Sequence, residues 1–207
     1  MYVDEPLQQY LAELASAQAT PGGGSASALT GALGAALASM VARLTVGKAK
    51  YADVQPEIEQ LLQQTEQLRE RFQQLMQEDS EAYGKLSSAF KMPRNTPEED
   101  QARTTAIQAQ LIEAALVPLE MVETASQLVQ YCQRIAEIGN ASVLSDIATG
   151  ALLASSAAAG AAWIVRANLK AMQDLELVNV LNGRLNVALD DISAHSQQIP
   201  IIVGSRA

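Results

Sequence analysis

With 207 residues, one cysteine and a formal net charge of −9, the chain suffices for one well-buried domain but not for an internal disulfide or a general nucleic-acid surface. Hydrophobic residues make up 48% of it and aromatics only 4%, so alanine and leucine fill the core, which favours closely packed helices. The N-terminus, Met1-Tyr2-Val3-Asp4-Glu5, lacks the basic region and apolar stretch of a secretory signal, which points to a cytoplasmic protein.

No β-period alternation of any length occurs, and each long segment reads as helix. Glu5 to Ala17 predicts a short amphipathic helix with Leu7, Leu11 and Leu14 on its apolar face. A small-residue helix from Ser25 to about Thr45 follows, ending near Gly47. The next begins around Asp53–Pro56, with Asp53 as a cap and Pro56 in the first turn, and runs to Phe90 before Pro93. Thr96-Pro97-Glu98-Glu99 is a strong start signal for a helix to Ile138, with a kink expected at Pro118. A further helix runs from near Ser142 to Met172, and a last one from Asp174 to Ser196; the tail Ile199–Ala207 receives no assignment. The fold class is an all-α, multi-helix bundle forming one domain over residues 1–207.

Two segments, Ser25–Val46 and Ile147–Val165, approach the length of membrane spans. They are rich in Ala, Gly and Ser, with Arg43 and Asp146 in or beside them, so buried helices of a soluble bundle account for them better. Small residues recur every fourth position in Ser27-Gly31-Ala35-Ser39 and in Gly150-Ala154-Ala158-Ala162. Each set makes a flat packing stripe, a candidate seam between subunits of a homodimer.

Three consecutive glycines, Gly22, Gly23 and Gly24, run into Ser25 at the start of the second helix. A Gly-rich turn at a helix N-terminus presents unpaired N–H groups that can cradle an anion; a tight turn permitting close helix packing is the alternative. Neither a Walker loop, for want of a lysine, nor a dinucleotide fingerprint, for want of a preceding strand, fits.

With one histidine and one cysteine, metal and triad chemistry find little support: His195 reads as a solvated residue near a helix end, and Cys132 as a buried, inert thiol. Carboxylates, lysines and amides remain. Gly139-Asn140-Ala141-Ser142 opens a helix that Asn140 or Ser142 can cap, and Asp146 falls in or just after its first turn, where the dipole favours a carboxylate. Asp79, Tyr83 and Phe90 share one helix side, and an acid on an otherwise apolar side needs a partner or a purpose. Lys48 and Lys50, in a turn of an acidic chain, suit an anionic ligand or simply a solvated loop.

In order and spacing these segments resemble one family, the cyclodeaminase domain of formiminotransferase-cyclodeaminase and the related methenyltetrahydrofolate cyclohydrolase. The likeness covers nearly the whole chain: Pro21 through Ser25, Gly34-Ala35-Ala36-Leu37, Gly47-Lys48, Asp79 through Tyr83, Lys91 through Glu99, Val117-Pro118-Leu119, Gly139-Asn140, Ser145-Asp146 and Asn168-Leu169-Lys170. It implies an all-α fold, obligate dimers and a folate one-carbon substrate with no metal or redox cofactor. It further implies Asp146 as principal catalytic carboxylate, with Asp79 in support. Gly22, Gly23, Gly24, Ser25, Lys48, Lys50, Tyr83, Lys91, Arg94, Asn140, Ser145 and Asn168 become candidate substrate-binding residues. The folate's carboxylate tail would lie on the Gly loop and nearby cations.

Family members either close 5-formimino-tetrahydrofolate to the methenyl form with loss of ammonia, or hydrate 5,10-methenyl-tetrahydrofolate to the 10-formyl form. Without an attached formiminotransferase domain, the expectation leans to the second. This chain departs from the pattern at Gln77, where an acid is usual, and at Ile164, where an amide is usual. The rival reading is a catalytically silent helical scaffold.

Overall fold

The computed structural model describes residues 2–206, which form six α-helices and no strand among them. In chain order these are α1 (Leu7–Leu14), α2 (Gly23–Arg43), α3 (Gln55–Phe90), α4 (Pro97–Ile138), α5 (Leu144–Ala171) and α6 (Leu175–Arg206), with short 3-10 turns at Tyr2–Asp4, Ala49–Val54 and Ala141–Val143. The all-α expectation holds. Its outermost ends, Met1 and Ala207, lie outside the described residues.

Most helix starts follow the expected chemistry. Thr96 accepts the Glu99 N–H at 3.2 Å while the Glu99 carboxylate takes the Asn95 N–H, and α4 runs on through the buried Pro118 to Ile138. Asp53 does not cap α3. The residue before that helix is Val54, and Gln55 holds the turn instead, accepting from the Gly47 N–H at 2.7 Å and donating to the Tyr51 carbonyl. Gly47 has φ 76°, a left-handed turn that suits glycine.

Two expectations fail for tertiary reasons. The leucine face of α1 is not its buried face: Leu7 and Leu11 are exposed, and Tyr10 alone is fully buried. The unassigned tail is helical through Pro200, because Ile199, Ile202 and Val203 pack on the core. Arg206 then donates to the carbonyls of Ala136 and Gly139, satisfying the end of α4. His195 consequently sits within α6, hydrogen-bonded to Gln133 at 2.7 Å, rather than at a helix end.

α2 is sandwiched between α3 and α5, and α4 backs both. The α2–α5 crossing is backbone to backbone. A methyl on Gly34 would stand 2.8 Å from the Gly150 carbonyl oxygen, and one on Gly150 3.0 Å from that of Gly34. Gly31 faces the ring of Phe72, which is fully buried, and Ser39 donates to Thr65 at 2.9 Å. Both small-residue stripes are therefore seams inside one chain, not between subunits. Their outward neighbours carry the free apolar surface instead: Leu33 on α2, with Leu152 and Trp163 on α5, the last two 68% and 72% exposed.

α2, α4 and the 141–171 segment are each long and apolar enough to cross a membrane by length and composition, one more than expected. Here they pack against one another, and Cys132, wholly buried in α4, has its thiol pushed up to about 12 by that burial. This is the inert thiol expected.

Candidate active site

α2 begins without a capping side chain, since Gly22 occupies the cap position and has none. A helix start leaves its first N–H groups without partners, and an acceptor from elsewhere in the fold can serve them. Asp79 on the neighbouring α3 supplies it, its carboxylate packed against Gly24 and drawn by the Ser25 backbone N–H. The two helices fit only because residue 24 is glycine, for a methyl there would overlap the Asp79 carboxylate. At Gly22 and Gly23 a methyl would make only ordinary contacts, and none of the three glycines adopts positive φ.

The same carboxylate lines a cavity of about 280 Å³. Gly22, Gly23 and Gly24 form one edge, and Asp79, Ala82, Tyr83 and Leu86 form a wall from α3. Ala114 of α4, Ile164 and Asn168 of α5, and Ala19 and Thr20 of the loop before α2 complete it. The α3 residues fall at i, i+3, i+4 and i+7, one helix face. Asn168 donates to the Ala114 carbonyl at 2.6 Å, which fixes its amide and leaves the side-chain oxygen as its free acceptor. Burial among these apolar walls pushes the Asp79 carboxyl up to about 6, against the opposing pull of the Ser25 N–H.

The predicted site residues thus divide in two. Gly22, Gly23, Gly24, Asp79, Tyr83 and Asn168 come together. Ser25 joins them through its N–H alone, because its side chain is wholly buried. Lys91 and Arg94 are exposed in the turn after α3, with Lys91 about 7 Å along the chain axis beyond Leu86. They therefore lie toward the cavity end of the bundle.

The remaining candidates are at the far end. Asp146 precedes Ile164 by about 27 Å along α5, and Lys48 and Lys50 follow the C-terminal end of α2, about 30 Å from Gly24. The expectation that Lys48 and Lys50 join the Gly loop to hold one anionic tail fails within a chain. The loop's anion is Asp79 itself. Asn140 is spent on structure: its amide donates to the Leu44 carbonyl, its side-chain oxygen accepts the Ser142 N–H, and its own N–H donates to Thr45. Beside it, Ser145 is exposed and Asp146 half-buried in the first turn of α5.

Against known proteins, the profile of the family described as Formiminotransferase-cyclodeaminase matches residues 6–187. The chain belongs to the formiminotransferase-cyclodeaminase family. It is 36% identical to a methenyltetrahydrofolate cyclohydrolase of Methylorubrum extorquens over 98% of both chains. It is 34% identical to the formimidoyltransferase-cyclodeaminase of Rattus norvegicus, aligning over 98% of its own length and 37% of that protein's. Its fold superimposes on the crystal structure of formiminotetrahydrofolate cyclodeaminase from Thermotoga maritima with TM-score 0.90 and 28% identity, covering 99% and 98% of the two chains.

Sequence reasoning overlooked Leu86 and Ala114 as parts of this site and Tyr10 as a support, and it marked Ile164, a further part, only as a departure from the family pattern. The i+7 spacing of Leu86 from Asp79 was a legible signal. Nothing local reveals Ala114 or Tyr10, which the packing of distant helices brings in.

Proposed function

We propose that the protein is a folate one-carbon enzyme that hydrolyses 5,10-methenyl-tetrahydrofolate to the 10-formyl form, with Asp79 as its acid–base group. The observation that carries this reading is a half-buried carboxylate with its proton affinity raised toward neutrality, facing a cavity of suitable size and apolar lining. Such a group is ionised near neutral pH yet still a competent base.

The methenyl carbon is a cationic N–C–N centre. Asp79 in its ionised form stabilises that charge and accepts a proton as water adds, giving a neutral carbinolamine. The protonated carboxyl then returns the proton to N5 as the C–N5 bond breaks and the carbinol O–H proton leaves to solvent. The products are the formyl group on N10 and one net proton. Tyr83 and the free oxygen of Asn168 orient the ring system, and Lys91 and Arg94 take the carboxylate tail. Identity over the full length with a cyclohydrolase favours this reaction over ammonia release. The cyclodeaminase reaction remains the second reading, on the strength of the rat and Thermotoga relatives.

The protein acts as a cytoplasmic homodimer of single-domain chains, joined through the outward faces of α2 and α5. Exposed Leu33, Leu152 and Trp163 support this, since soluble monomers rarely leave such apolar surface wet. The two helices run antiparallel, with Gly23 near Ile164 and Gly34 against Gly150. A two-fold axis through the middle of that face lays the Asp146 end of one chain toward the Asp79 cavity of the other. Loss of methenyl absorbance, corrected for spontaneous hydrolysis, tests the reaction: a rate no faster than buffer would remove the enzyme reading.

A further inference from the structure

The catalytic reading leaves α1 unexplained. Its leucines at 7 and 11 face outward, and the one side chain it buries fully is Tyr10, at 2% exposure. A buried phenol requires a hydrogen-bond partner, and this one has the equally buried hydroxyl of Ser25, at 3.2 Å. Ser25 is also the residue whose backbone N–H holds the Asp79 carboxylate. The ring of Tyr2 packs edge-on against Tyr10, with centroids 5.6 Å apart, and closes the outer side.

We propose that Tyr10 is a positioning residue for the Asp79 carboxylate, acting through the Ser25 hydroxyl to fix the first turn of α2. The first turn of α2 contains Gly23 and Gly24, lacks a capping side chain and has little stiffness of its own. Tyr10 meets the Ser25 hydroxyl and the Asp79 carboxylate abuts Gly24 in the same turn, so Ser25 links the hydroxyl pair to the carboxylate through its own N–H. When the pair is made, the N–H stays on the carboxylate and favours its ionised form. When it is lost, the turn relaxes and Asp79 holds its proton more tightly.

The groups facing Asp79 are few enough for this contact to be read out. From α1 comes Tyr10, with Tyr2 behind it, and from α3 itself Tyr83. α2, α4 and α5 present Ser25, Ala114, Ile164 and Asn168, none of which titrates. Burial pushes the Tyr10 phenol up, away from the acid range, and among the described residues Asp79 is the one carboxylate that its own chain places in the cavity.

This inference rests on Asp79 being the acid–base group, and the test separates the two. In the full-length protein, Tyr10→Phe keeps the ring and removes the hydroxyl. The acid-side midpoint of the kcat profile should rise by about 0.5–1 pH unit, the worth of one hydrogen bond, with KM unchanged. Ser25→Ala should give the same shift, the double variant no more than either, and Ser25→Thr should restore the wild-type midpoint. A merely structural Tyr10 would lower thermal stability and leave the midpoint in place. An unmoved midpoint in Tyr10→Phe and Ser25→Ala overturns the proposal, provided Asp79→Asn is inactive. Full activity in Asp79→Asn removes the underlying reading instead.

Discussion

Asp79→Asn is the substitution that most directly tests catalysis against stability. Raising a carboxyl from the usual 3.8 to about 6 means that the folded protein disfavours its ionised form by at most about 3 kcal/mol, at about 1.4 kcal/mol per pH unit. The folded state binds this proton more tightly than the unfolded chain does. The group's contribution to stability is therefore complete below pH ~4 and is lost as pH rises through about 6. Asparagine has the same shape, and its oxygen can still accept the Ser25 N–H, but it carries no charge to desolvate. The variant should be more stable than the wild type above pH 6, by up to ~6–12 °C in melting temperature for a chain of this size. The difference should vanish near pH 4. Turnover of methenyl-tetrahydrofolate should fall ~10²-fold or more, because among the described residues no other carboxylate of the same chain lines the cavity. Thermal melts from pH 4 to 8 and the absorbance assay measure the two effects separately. Wild-type turnover would remove Asp79 from the mechanism, and a pH-independent stability difference would refute the raised carboxyl.

Gly24→Ala should displace the Asp79 carboxylate and cost most of the activity, whereas Gly23→Ala, whose methyl would stand 3.9 Å from Ile164, should leave turnover within a few-fold; equal losses would contradict the close approach at residue 24. Gly34→Ala should destabilise the chain by ~1–3 kcal/mol in denaturant titration without changing assembly, because its methyl meets backbone of α5 in the same chain. Leu33→Glu with Leu152→Glu should yield monomers by light scattering, and an undisturbed dimer would move the interface elsewhere. Asp79→Asn and Asp146→Asn chains, each inactive alone, should regain about a quarter of wild-type activity when unfolded and refolded together. About half of the dimers would be mixed, each with one intact site. No recovery would place Asp146 outside the cavity.

The helices were legible because their signals are local. Thr96 through Glu99 fixes the start of α4, and small residues at fourth positions mark where α2 meets its neighbours. What those stripes meet was not legible. Gly31 against Phe72 and Gly34 against Gly150 are pairings of distant segments, and a flat stripe looks alike whether its partner is in the same chain or another. The tail beyond Pro200 was missed for a related reason. Proline argues against helix locally, yet Ile199, Ile202 and Val203 fit the core only if the helix continues.

The Gly loop shows how a motif read locally can meet a partner that only the tertiary fold brings in. Unpaired N–H groups at a helix start do call for an anion, and that inference survives. In this fold the Asp79 carboxylate, brought in by α3, stands against that helix start, and under the proposed function this would make the loop part of the acid–base apparatus. Capping α2 from another helix ties its first turn to an ionisation. A protonated Asp79 caps weakly, while an ionised one caps well but bears the cost of burial. A neutral cap on α2 itself, such as Gly22→Asn, would satisfy the same N–H groups without that cost. It would also compete with the Asp79 carboxylate for the Ser25 N–H. The glycine at that position is thus consistent with a helix start left open so that Asp79 can complete it.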